Sequence, residues 1–565
     1  MADICRKPAI AGLTEDLVNL ATPQYRQLLA RLRRAHLLLV PDPERPDFID
    51  AHPLIREHFR KRLQEEQPTA WREANSRLFD YYRRFAREFP DNVEEMEPLF
   101  QAMKCGCRAG RETDALHDVY LRRIMRGEEY FAGYKLGSLN PLLAVLSHFF
   151  EDGDWTLPIG DEQPDRQGLS REDQLTVLTH AGCFLTATQS YAAPEVGRVF
   201  AFAETLCQGD AELFPVIRGL WVYRLVRADL DEADWRARRL FEIAGESGAS
   251  GQLVEAHLAM GMTAVYRGDF TVGREHLQAC LELYDPIDHH INAFKYGNDP
   301  KATSLAFDGY SAWMMGYPEF AVARCDEALK QAESVGHAFT IALMLFVLAM
   351  LHQAIGDVES TRNYADRLIT YCKRQGSSHF LSQGMVFRAW AEFKMGGGKP
   401  AVDKMYAALK QHLETGAIVT HSHHAATLAE ALAAIGSYEQ ALDLIRRGLQ
   451  MIADHGDRRW LAELHRVHGD LLAAKPDPEP EAALDAYNRS LGVARAQNAK
   501  SFELRTLVRM ARLLAGSDGE QEAIASLSRT FAAFEEGHDT ADLKEAEALL
   551  RAHNLRLTEA AQATR

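Results

Sequence analysis

The sequence predicts an all-α protein, built as an α-solenoid of antiparallel helical hairpins with a period of about 40 residues. Two series of glycines carry this prediction. The first closes helix-like runs at a spacing of 40, at Gly316, Gly356, Gly396 and Gly436. The second follows 20 residues later, at Gly336, Gly376, Gly416 and Gly456. Glycine suits the left-handed residue that ends a helix, so each half-repeat is one helix of about four turns and a tight turn.

Small residues stand at fixed distances from the first glycine of each repeat. Seven residues before it are Gly309, Ala349, Ala389 and Ala429; five residues after it are Ala321, Thr361, Ala401 and Ala441. These offsets keep the small residues on one face of each helix. We therefore expect the two helices of a hairpin to approach closely, and about nine such units between residues 170 and 550.

This pattern resembles the tetratricopeptide repeat, whose small residues fall at the same offsets around the turn between its two helices. The usual period of that family is about 34 residues, and the half-repeat glycines account for the longer period here. The resemblance implies hairpins that bury their faces against their neighbours and a concave groove that binds a protein or peptide.

The stretch FKMGGGKPAVDK, residues 393–404, raises the question of a phosphate-binding loop. Such a loop needs G-x-x-x-x-G-K followed by Ser or Thr. Here Pro400 follows Lys399, and Phe393 stands where the first glycine belongs. Because proline is tolerated in the first turn of a helix, the glycines are predicted to form a turn between helices.

Composition bounds the function and the location of the chain. A net charge of −16 disfavours broad nucleic-acid or anionic-membrane binding. No stretch reaches the roughly 18 apolar residues of a membrane span, and the run at 341–351 is predicted to be a buried helix. We expect no signal peptide, reduced thiols for the eight scattered cysteines, and a cytoplasmic location.

An insertion interrupts the repeat pattern, because the step from Gly268 to Gly316 is 48 residues. The extra residues fall in LELYDPIDHHINAFKYGNDP, 281–300. One interpretation is a capped corner between two repeats with Asp-Pro turns. The other is a contact for a ligand or partner. Its candidate binding residues are Tyr284, Asp285, His289, His290, Tyr296 and Asp299.

The N-terminal residues lack the 40-residue phase. An apolar run, a Pro-rich turn and AHPLIREHF (51–59) predict a small winged-helix-like domain. The N-terminal region and the insertion at 281–300 together look like parts of the STAND-type signalling ATPases. In these bacterial proteins such repeats follow an ATPase core. In that family a His at the corresponding helix start contacts the β-phosphate of ADP. Here His52 matches, with Ala51 and Pro53 in place of Met and Asp.

The chain begins 51 residues before His52, which leaves no room for an ATPase core. His52 would therefore bind nucleotide only if that core is supplied by another chain. The alternative is that nucleotide control is lost and His52 starts a helix in a small packed domain. The resemblance implies a winged-helix-like remnant (1–68), helical linker hairpins (69–165), the repeat solenoid (166–555) and a disordered tail (556–565).

The resemblance implies a non-enzymatic sensor or scaffold, the sensing arm of a STAND-type switch. Its partner would be a protein or peptide in the concave groove, with a phosphate-loop ATPase or signalling effector as a second partner, and no cofactor. The alternative is a transcription regulator whose winged helix contacts DNA and whose repeats take an inducer. An enzyme that uses the histidine-rich stretch or the insertion is a third alternative.

Two further clusters contain side chains that can bind metals. In HSHH, His421 and His424 share a helix face, but a metal needs further ligands that the spacing does not supply. We expect this stretch on an exposed edge, without a metal. The pair Cys105 and Cys107 lacks the second pair of a zinc site. No catalytic residues are predicted, since the common hydrolase and protease motifs do not occur.

Overall fold

The structure of the protein is a computed structural model that describes residues 8–39, 49–134, 136–137, 139–160, 167–375 and 378–563. The chain forms two compact units, Met1–Ala181 (unit 1) and Gly182–Arg565 (unit 2). Throughout the described ranges the secondary structure is helical and contains no β-strand. The all-α prediction is therefore confirmed.

Unit 1 consists of short and medium helices joined by turns. Its described α-helices are α1 (Glu15–Val18), α2 (Thr22–Arg34), α3 (Pro53–Glu66), α4 (Pro68–Phe85), α5 (Val93–Ala109), α6 (Glu112–Asp114), α7 (Phe131–Tyr134), α8 (Leu139–Leu146) and the start of α9 (Arg171–Thr188). Helix α6 continues as a π-helix, Ala115–Ile124. Short 3₁₀ turns are Gly127–Glu129, Ser147–Phe149 and Glu151–Gly153.

Helices α4 and α5 pack as a hairpin that carries the core of unit 1. Helix α5 begins where the Asn92 side chain accepts a hydrogen bond from the Glu95 N–H at 2.9 Å. It ends at Gly110, which adopts a left-handed φ of 77°. A Cβ at Gly106 would lie 2.8 Å from the Ala115 Cβ. The next segment therefore packs directly on the backbone of α5.

The predicted winged-helix-like domain falls on helices α1 to α3. The Pro-rich turn, residues 40–48, and residues 1–7 lie outside the described part of the chain. Leu39 and Asp50 flank that turn and share a backbone hydrogen bond of 2.8 Å. Since the described residues here are helical and the wing is not among them, the winged-helix assignment stays a prediction, and so does the DNA-contact alternative that depends on it.

Unit 2 is a series of helical hairpins. Its helices after α9 are α10 (Pro194–Leu206), α11 (Asp210–Val226), α12 (Leu230–Ser247), α13 (Ser250–Arg267), α14 (Phe270–Leu283), α15 (Pro286–His289), α16 (Asn292–Tyr296), α17 (Pro300–Met314), α18 (Pro318–Val335), α19 (Ala338–Ile355), α20 (Val358–Gln375), α21 (Ser378–Glu392), α22 (Gly398–Glu414), α23 (His421–Ala434), α24 (Tyr438–His455), α25 (Leu461–Ala474), α26 (Pro480–Ala496), α27 (Lys500–Leu513), α28 (Glu520–Ala532) and α29 (Ala541–Ala563).

Eight closely packed hairpins run from α11 to α28 in the described residues, with α9 and α10 preceding them. This agrees with the expected nine units and with a tetratricopeptide-like α-solenoid. Helical backbone in α29 also continues over most of residues 556–565, the segment expected to be a disordered tail. The helix-forming composition of LTEAAQA explains the extension.

The glycine series end helices as expected. Left-handed φ angles close to 80–100° occur at Gly316, Gly336, Gly356, Gly396, Gly416, Gly436 and Gly456. Gly376 lies outside the described residues. At Phe393–Gly397 a short π-helical turn joins α21 to α22, and Pro400 stands in the first turn of α22. The interpretation of FKMGGGKP as a turn between helices is therefore confirmed.

The small residues allow the close approach that the sequence predicted. A Cβ at Gly309 in α17 would lie 2.9 Å from the carbonyl oxygen of Ala321 in α18. In the preceding hairpin a Cβ at Gly273 would lie 2.6 Å from the Val265 side chain. The backbones of paired helices are thus in near contact, and any side chain larger than hydrogen would separate them.

Helix α19 contains the apolar run expected to be a buried helix. It is the one described helix long and apolar enough to cross a membrane by length and composition, and 78% of it is buried within the protein. A helix that is apolar on every side is buried on every side. The residues around α19 form the candidate site.

Candidate binding chamber inside the solenoid

The first helices of the hairpins form the inner row of the solenoid, and this row winds tightly. Backbone hydrogen bonds join the connections between hairpins to helices one superhelical turn earlier. Ile418 N–H donates to the Val226 carbonyl at 3.1 Å, and Arg458 N–H donates to the Tyr266 carbonyl at 3.0 Å. Each contact spans five hairpins. The solenoid of unit 2 is therefore closed on itself.

An aromatic seam, formed by Tyr310, Trp313, His423, Trp460 and Phe502, runs along this closure. Trp460 Nε1 donates to Tyr310 Oη at 2.6 Å. The ring of His423 stacks on Trp460 with centroids 3.9 Å apart. Phe502 meets both tryptophans edge-on, at 5.2 and 5.6 Å. Large aromatic surfaces buried in this way hold successive turns of the inner row together.

Two polar contacts extend the seam beyond its rings. Ser501 Oγ donates to the Trp313 carbonyl at 2.6 Å. The Arg505 guanidinium donates to the Ala354 carbonyl at the end of α19. Helix α27 is thereby fixed on helices that precede it by more than 140 residues.

The closed inner row leaves a small cavity, the central chamber. Its volume is about 60 Å³, the space of about two water molecules. Aromatic rings dominate its wall, and they come from α11, α13, α17, α19, α21 and the segment before α10. They are Tyr191, Trp221, Tyr266, Phe307, Phe339, Phe346 and Phe380. Within the described residues, this apolar chamber lies along the inner row, where a concave groove for a partner is expected.

A few polar groups reach the same wall. They are Asn298, His379, Gln383 and Thr420. Thr420 Oγ1 donates to Gln383 Oε1 at 3.0 Å, and its N–H donates to Asp457 at 3.3 Å. Thr420 adopts a left-handed φ of 72°, which is costly for a β-branched residue. These hydrogen bonds hold a strained backbone at the chamber wall.

A buried ion pair lies behind Trp221 and Asn298. Arg218 Nε and Glu255 Oε2 are 2.8 Å apart, and the side chains are 1% and 0% exposed. Arg218 also donates to Asn298 Oδ1 at 2.7 Å. Burial raises the pKa of Glu255, while the Arg218 charge opposes that rise. Arg218 Nη1 has no hydrogen-bond partner among the described residues.

A second buried arginine supports the opposite wall. Arg459 makes a two-pronged ion pair with Asp457, at 2.9 and 2.8 Å. Its guanidinium lies 3.7 Å from the centre of the Tyr266 ring. Burial opposes its charge, but Asp457 and the Tyr266 and Tyr310 hydroxyl groups raise the pKa of Arg459 overall. The pair thus couples the chamber wall to the seam.

Five histidines are buried beside the chamber, in α21, α22 and α23. They are His379, His412, His421, His423 and His424. Burial lowers the pKa of His412 and His421 to about 4 and that of His379 and His423 to about 3. It also lowers the pKa of His424 well below its ordinary value, with further lowering by His423. This row is uncharged at neutral pH.

The expected exposed edge for HSHH is wrong. Helix α23 is buried because helices α21, α22, α24 and α25 surround it. Both ring nitrogens of His423 and of His424 lack a hydrogen-bond partner among the described residues. Within those residues no cluster of three or more metal-ligating side chains is placed to hold an ion.

The insertion at 281–300 forms a corner of short helices. Asp285 caps α15 by accepting from the Ile287 N–H at 2.7 Å, and Asp299 caps α17 by accepting from Ala302 at 2.7 Å. Tyr284 Oη donates to Asp299 at 3.2 Å. The capped-corner interpretation is therefore observed. A binding role for these residues stays a prediction.

The other candidates of the insertion are also engaged within the protein. His289 accepts from the Asp285 N–H at 2.9 Å and meets Ser250 Oγ at 3.1 Å. His290 Nδ1 lies 2.9 Å from the Ile287 carbonyl. Tyr296 is buried and packs edge-on against Phe214, with centroids 6.1 Å apart. None of the six residues lines the central chamber in the described structure.

His52 lies in unit 1 at the start of α3. Its Nδ1 accepts a hydrogen bond from the Leu54 N–H at 3.3 Å, so the side chain caps the helix. Pro53 follows as the first residue of the helix, a position that needs no N–H. Capping is the contact that the structure describes for His52, and the nucleotide role stays a prediction.

The sequence did not reveal the chamber residues. One signal was present, because IALMLFVLAML is apolar on all sides whereas a solenoid helix with an open groove keeps one polar face. That pattern indicates a second layer of protein over the inner row. The aromatic residues of the first helices then mark where the layer packs.

The chain has distant matches among known proteins. No protein-family model matches the chain. An uncharacterized protein of Rhizobium meliloti (strain 1021) is 22% identical over 343 residues, which cover 59% of this chain and 32% of that protein. The chain therefore spans about a third of the length of this relative.

Among solved structures, a Rap protein complexed with competence and sporulation factor has a TM-score of 0.45 at 13% identity, covering 68% of this chain and 99% of that chain. The Rap conjugation regulator of plasmid pLS20, in complex with the Phr* peptide, has a TM-score of 0.40 at 11% identity and covers 67% and 96%. A STAND protein with a tetratricopeptide repeat sensor, from Pyrococcus horikoshii, has a TM-score of 0.32 at 12% identity and covers 84% and 74%.

The helix pairing, glycine caps and close-contact residues define the class of unit 2 as a tetratricopeptide-like α-solenoid. The central chamber and the aromatic seam are the candidate functional features of this solenoid.

Proposed function

We propose that the protein is a non-enzymatic helical-repeat sensor that binds a protein or peptide through an apolar side chain in the central chamber. The single observation that supports this is an aromatic chamber, with a few convergent polar groups, inside a closed inner row. Binding sites of this kind are concave and mostly apolar with few placed polar groups. Asn298, which lines the chamber, would meet a polar group of the partner.

The chamber of about 60 Å³ is smaller than any peptide segment, so binding requires the solenoid to open. The seam is the element that would separate, since it joins the two turns of the inner row. A partner that contacts the open chamber wall binds the open form more tightly. By differential affinity it shifts the population from closed to open.

A peptide display library tests this directly. Selection on the wild-type protein is expected to enrich sequences with an aromatic or aliphatic anchor. Leu343→Trp fills the chamber, because Leu343 lines it, and is expected to abolish binding of the enriched peptides. Leu413→Trp is the matched control, since Leu413 is 37% exposed on α22, and should leave binding unchanged. Equal binding by both variants would overturn the proposed site.

The finer proposal is that this sensor belongs to a STAND-type switch, with a phosphate-loop ATPase or signalling effector as its second partner. In that setting His52 would contact the nucleotide of the partner ATPase, and the insertion residues Tyr284 to Asp299 would contact a partner. Purified chain mixed with the ATPase of the same cell tests this. His52→Ala should reduce the amount of ADP that the mixture retains. His538→Ala should leave that amount unchanged, because His538 is an exposed residue.

We also propose a cytoplasmic location. The seven described cysteines form no disulfide and five of them are buried, as in proteins of reducing compartments. Fractionation of the native cells tests it, and recovery outside the cytoplasm would contradict it.

A further inference from the structure

Unit 1 contains a cleft that has no role in the proposed function. Its volume is about 770 Å³, within the range of small-molecule sites. The wall is built from α3, α4, the end of α5 and the 3₁₀ turns that follow α8. Lining residues that matter here are Arg60, Trp71, Arg72, Arg108, Ser147 and His148. The cleft is therefore basic and carries the aromatic rings of Trp71 and Phe150.

Two cations beside the cleft have no counter-ion among the described residues. Lys104 and Arg108 lie one turn apart on α5, both half-buried. The described residues provide neither with an ion pair or hydrogen bond, and the Arg108 guanidinium lies 5.6 Å from the centre of the Trp71 ring. Arg60, by contrast, is paired with Glu57 through two oxygens. Adjacent cations held half-buried without a carboxylate are unfavourable unless an anion completes them.

The electrostatics of these groups agree with the geometry. Burial, and then the neighbouring Arg108 charge, lowers the pKa of Lys104. Burial, and then the Arg60 charge, lowers the pKa of Arg108. Burial lowers the pKa of His148 to about 4, and the charges of Arg108 and Lys104 add to that effect. Lys104, Arg108 and His148 therefore disfavour one another's protonated forms.

Carboxylates occur only at the border of this group in the described structure. Glu57 is committed to Arg60, and Glu151 and Asp152 are exposed at the rim. Among the described residues they leave Arg108 and His148 of the wall, and Lys104 beside it, open to an anion from solution. Guanidinium and ammonium groups together match the oxygens of phosphate, the former as a fork and the latter as a point charge.

We propose that this cleft binds the phosphate group of a small phosphorylated molecule between Lys104 and Arg108, with the rest of the molecule in the space beside Trp71. The cleft is larger than a phosphate ion, so an organic portion has room. A nucleic acid is disfavoured, because its backbone needs a row of cations along an open surface and Lys104 and Arg108 form a single pair.

Calorimetric titration of the full chain with inorganic phosphate tests the site, at constant ionic strength set by chloride. Binding in the order of millimolar is expected for wild type. Lys104→Gln and Arg108→Gln should each weaken it at least tenfold. Arg446→Gln is the matched control, since Arg446 is an exposed arginine in unit 2, and should bind as wild type. No binding by wild type, or equal binding by all four proteins, would overturn the proposal.

Two further readouts separate recognition from a merely structural role. Without phosphate, both variants should melt at the same or a higher temperature than wild type, because each removes a repulsion. Phosphate should raise the pKa of His148, followed by NMR against the His148→Gln spectrum. Melting well below wild type, or an unchanged His148 pKa, would contradict the site.

Phenyl phosphate decides the source of the phosphate group. A phosphorylated molecule predicts tighter binding of phenyl phosphate than of inorganic phosphate, because the ring has the space beside Trp71. Equal or weaker binding would contradict that assignment and leave free phosphate as the ligand. A short duplex DNA that binds more tightly than phenyl phosphate, and loses affinity in Arg108→Gln, would also contradict it.

Discussion

The indole N–H of Trp460 donates a 2.6 Å hydrogen bond to the hydroxyl of Tyr310, across 150 residues of sequence. Tyr310 is fully buried in α17 and Trp460 is 2% exposed at the start of α25. The bond joins two turns of the inner row, so it reports directly on whether the solenoid is closed.

Removing the Tyr310 hydroxyl should weaken the closed state. Tyr310→Phe keeps the ring but leaves the buried Trp460 N–H without a partner, which costs about 1–3 kcal/mol. Urea unfolding, followed by tryptophan fluorescence, measures the loss. Tyr406→Phe serves as the control, because Tyr406 is 56% exposed, and should change stability by less than about 0.5 kcal/mol. Equal effects for the two variants would contradict a seam held by this bond.

Acid should destabilise unit 2 through the histidine row. The pKa values of His379, His412, His421 and His423 are about 3 to 4 in the folded protein, against 6.5 for an ordinary histidine. The unfolded chain therefore binds more protons than the folded one below pH about 6.5. Stability is complete above that pH and is lost as the pH falls toward 4.

Each buried histidine contributes a slope of about 1.4 kcal/mol per pH unit in that window. His423→Phe removes one of them, so the free energy of unfolding should fall less steeply between pH 6 and 4. His538→Phe, at an exposed position outside the histidine row, should keep the wild-type slope. The same pH profile for both variants would show that His423 gains no proton on unfolding, which would contradict the prediction.

The hairpin contact at Gly309 should not tolerate a methyl group. In Gly309→Ala the new Cβ would lie 2.9 Å from the Ala321 carbonyl oxygen, and overpacking of this kind costs about 1–3 kcal/mol. Gly245→Ala is the matched control in α12, where no atom lies within 4 Å of the added methyl. It should stabilise the helix by about 0.5–1 kcal/mol. Thermal melting of the two variants should therefore shift in opposite directions.

The buried pair Arg218–Glu255 should be far more sensitive to loss of one partner than of both. Arg218→Met leaves the Glu255 carboxylate buried without its counter-charge, at a cost of about 3–5 kcal/mol. Adding Glu255→Leu should recover most of that loss, because two apolar residues need no counter-charge. A double variant as unstable as the single one, in denaturant unfolding, would show that the pair matters by its shape rather than its charge.

The repeat architecture followed from the sequence because its determinants are local. The left-handed Gly436 and the small residue Gly309 each act within their own hairpin. The spacing of such residues therefore predicts the hairpins. Even the capped corner at Asp285 and Asp299 follows from local turn chemistry. These features recur at fixed intervals, which a periodic pattern exposes.

The closure of the inner row did not follow, because the winding of a solenoid depends on small rotations summed over several repeats. The residues that close it, such as Tyr310 and Trp460, are 150 positions apart and carry no shared motif. The exposed edge assigned to HSHH failed for the same reason. His423 and His424 point into neighbours whose positions only the superhelical turn determines.

We propose that a partner enters the chamber by opening the closed solenoid. Asn498 Nδ2 donates to Thr271 Oγ1 at 3.3 Å, between exposed positions on successive turns. The double variant Thr271→Cys/Asn498→Cys can lock these turns by oxidation, and the wild type under the same oxidant is the control. Binding of the selected peptide by fluorescence anisotropy is the decisive measurement. We expect full binding by the reduced variant and at least a tenfold loss on oxidation, whereas equal binding in both states would contradict entry by opening.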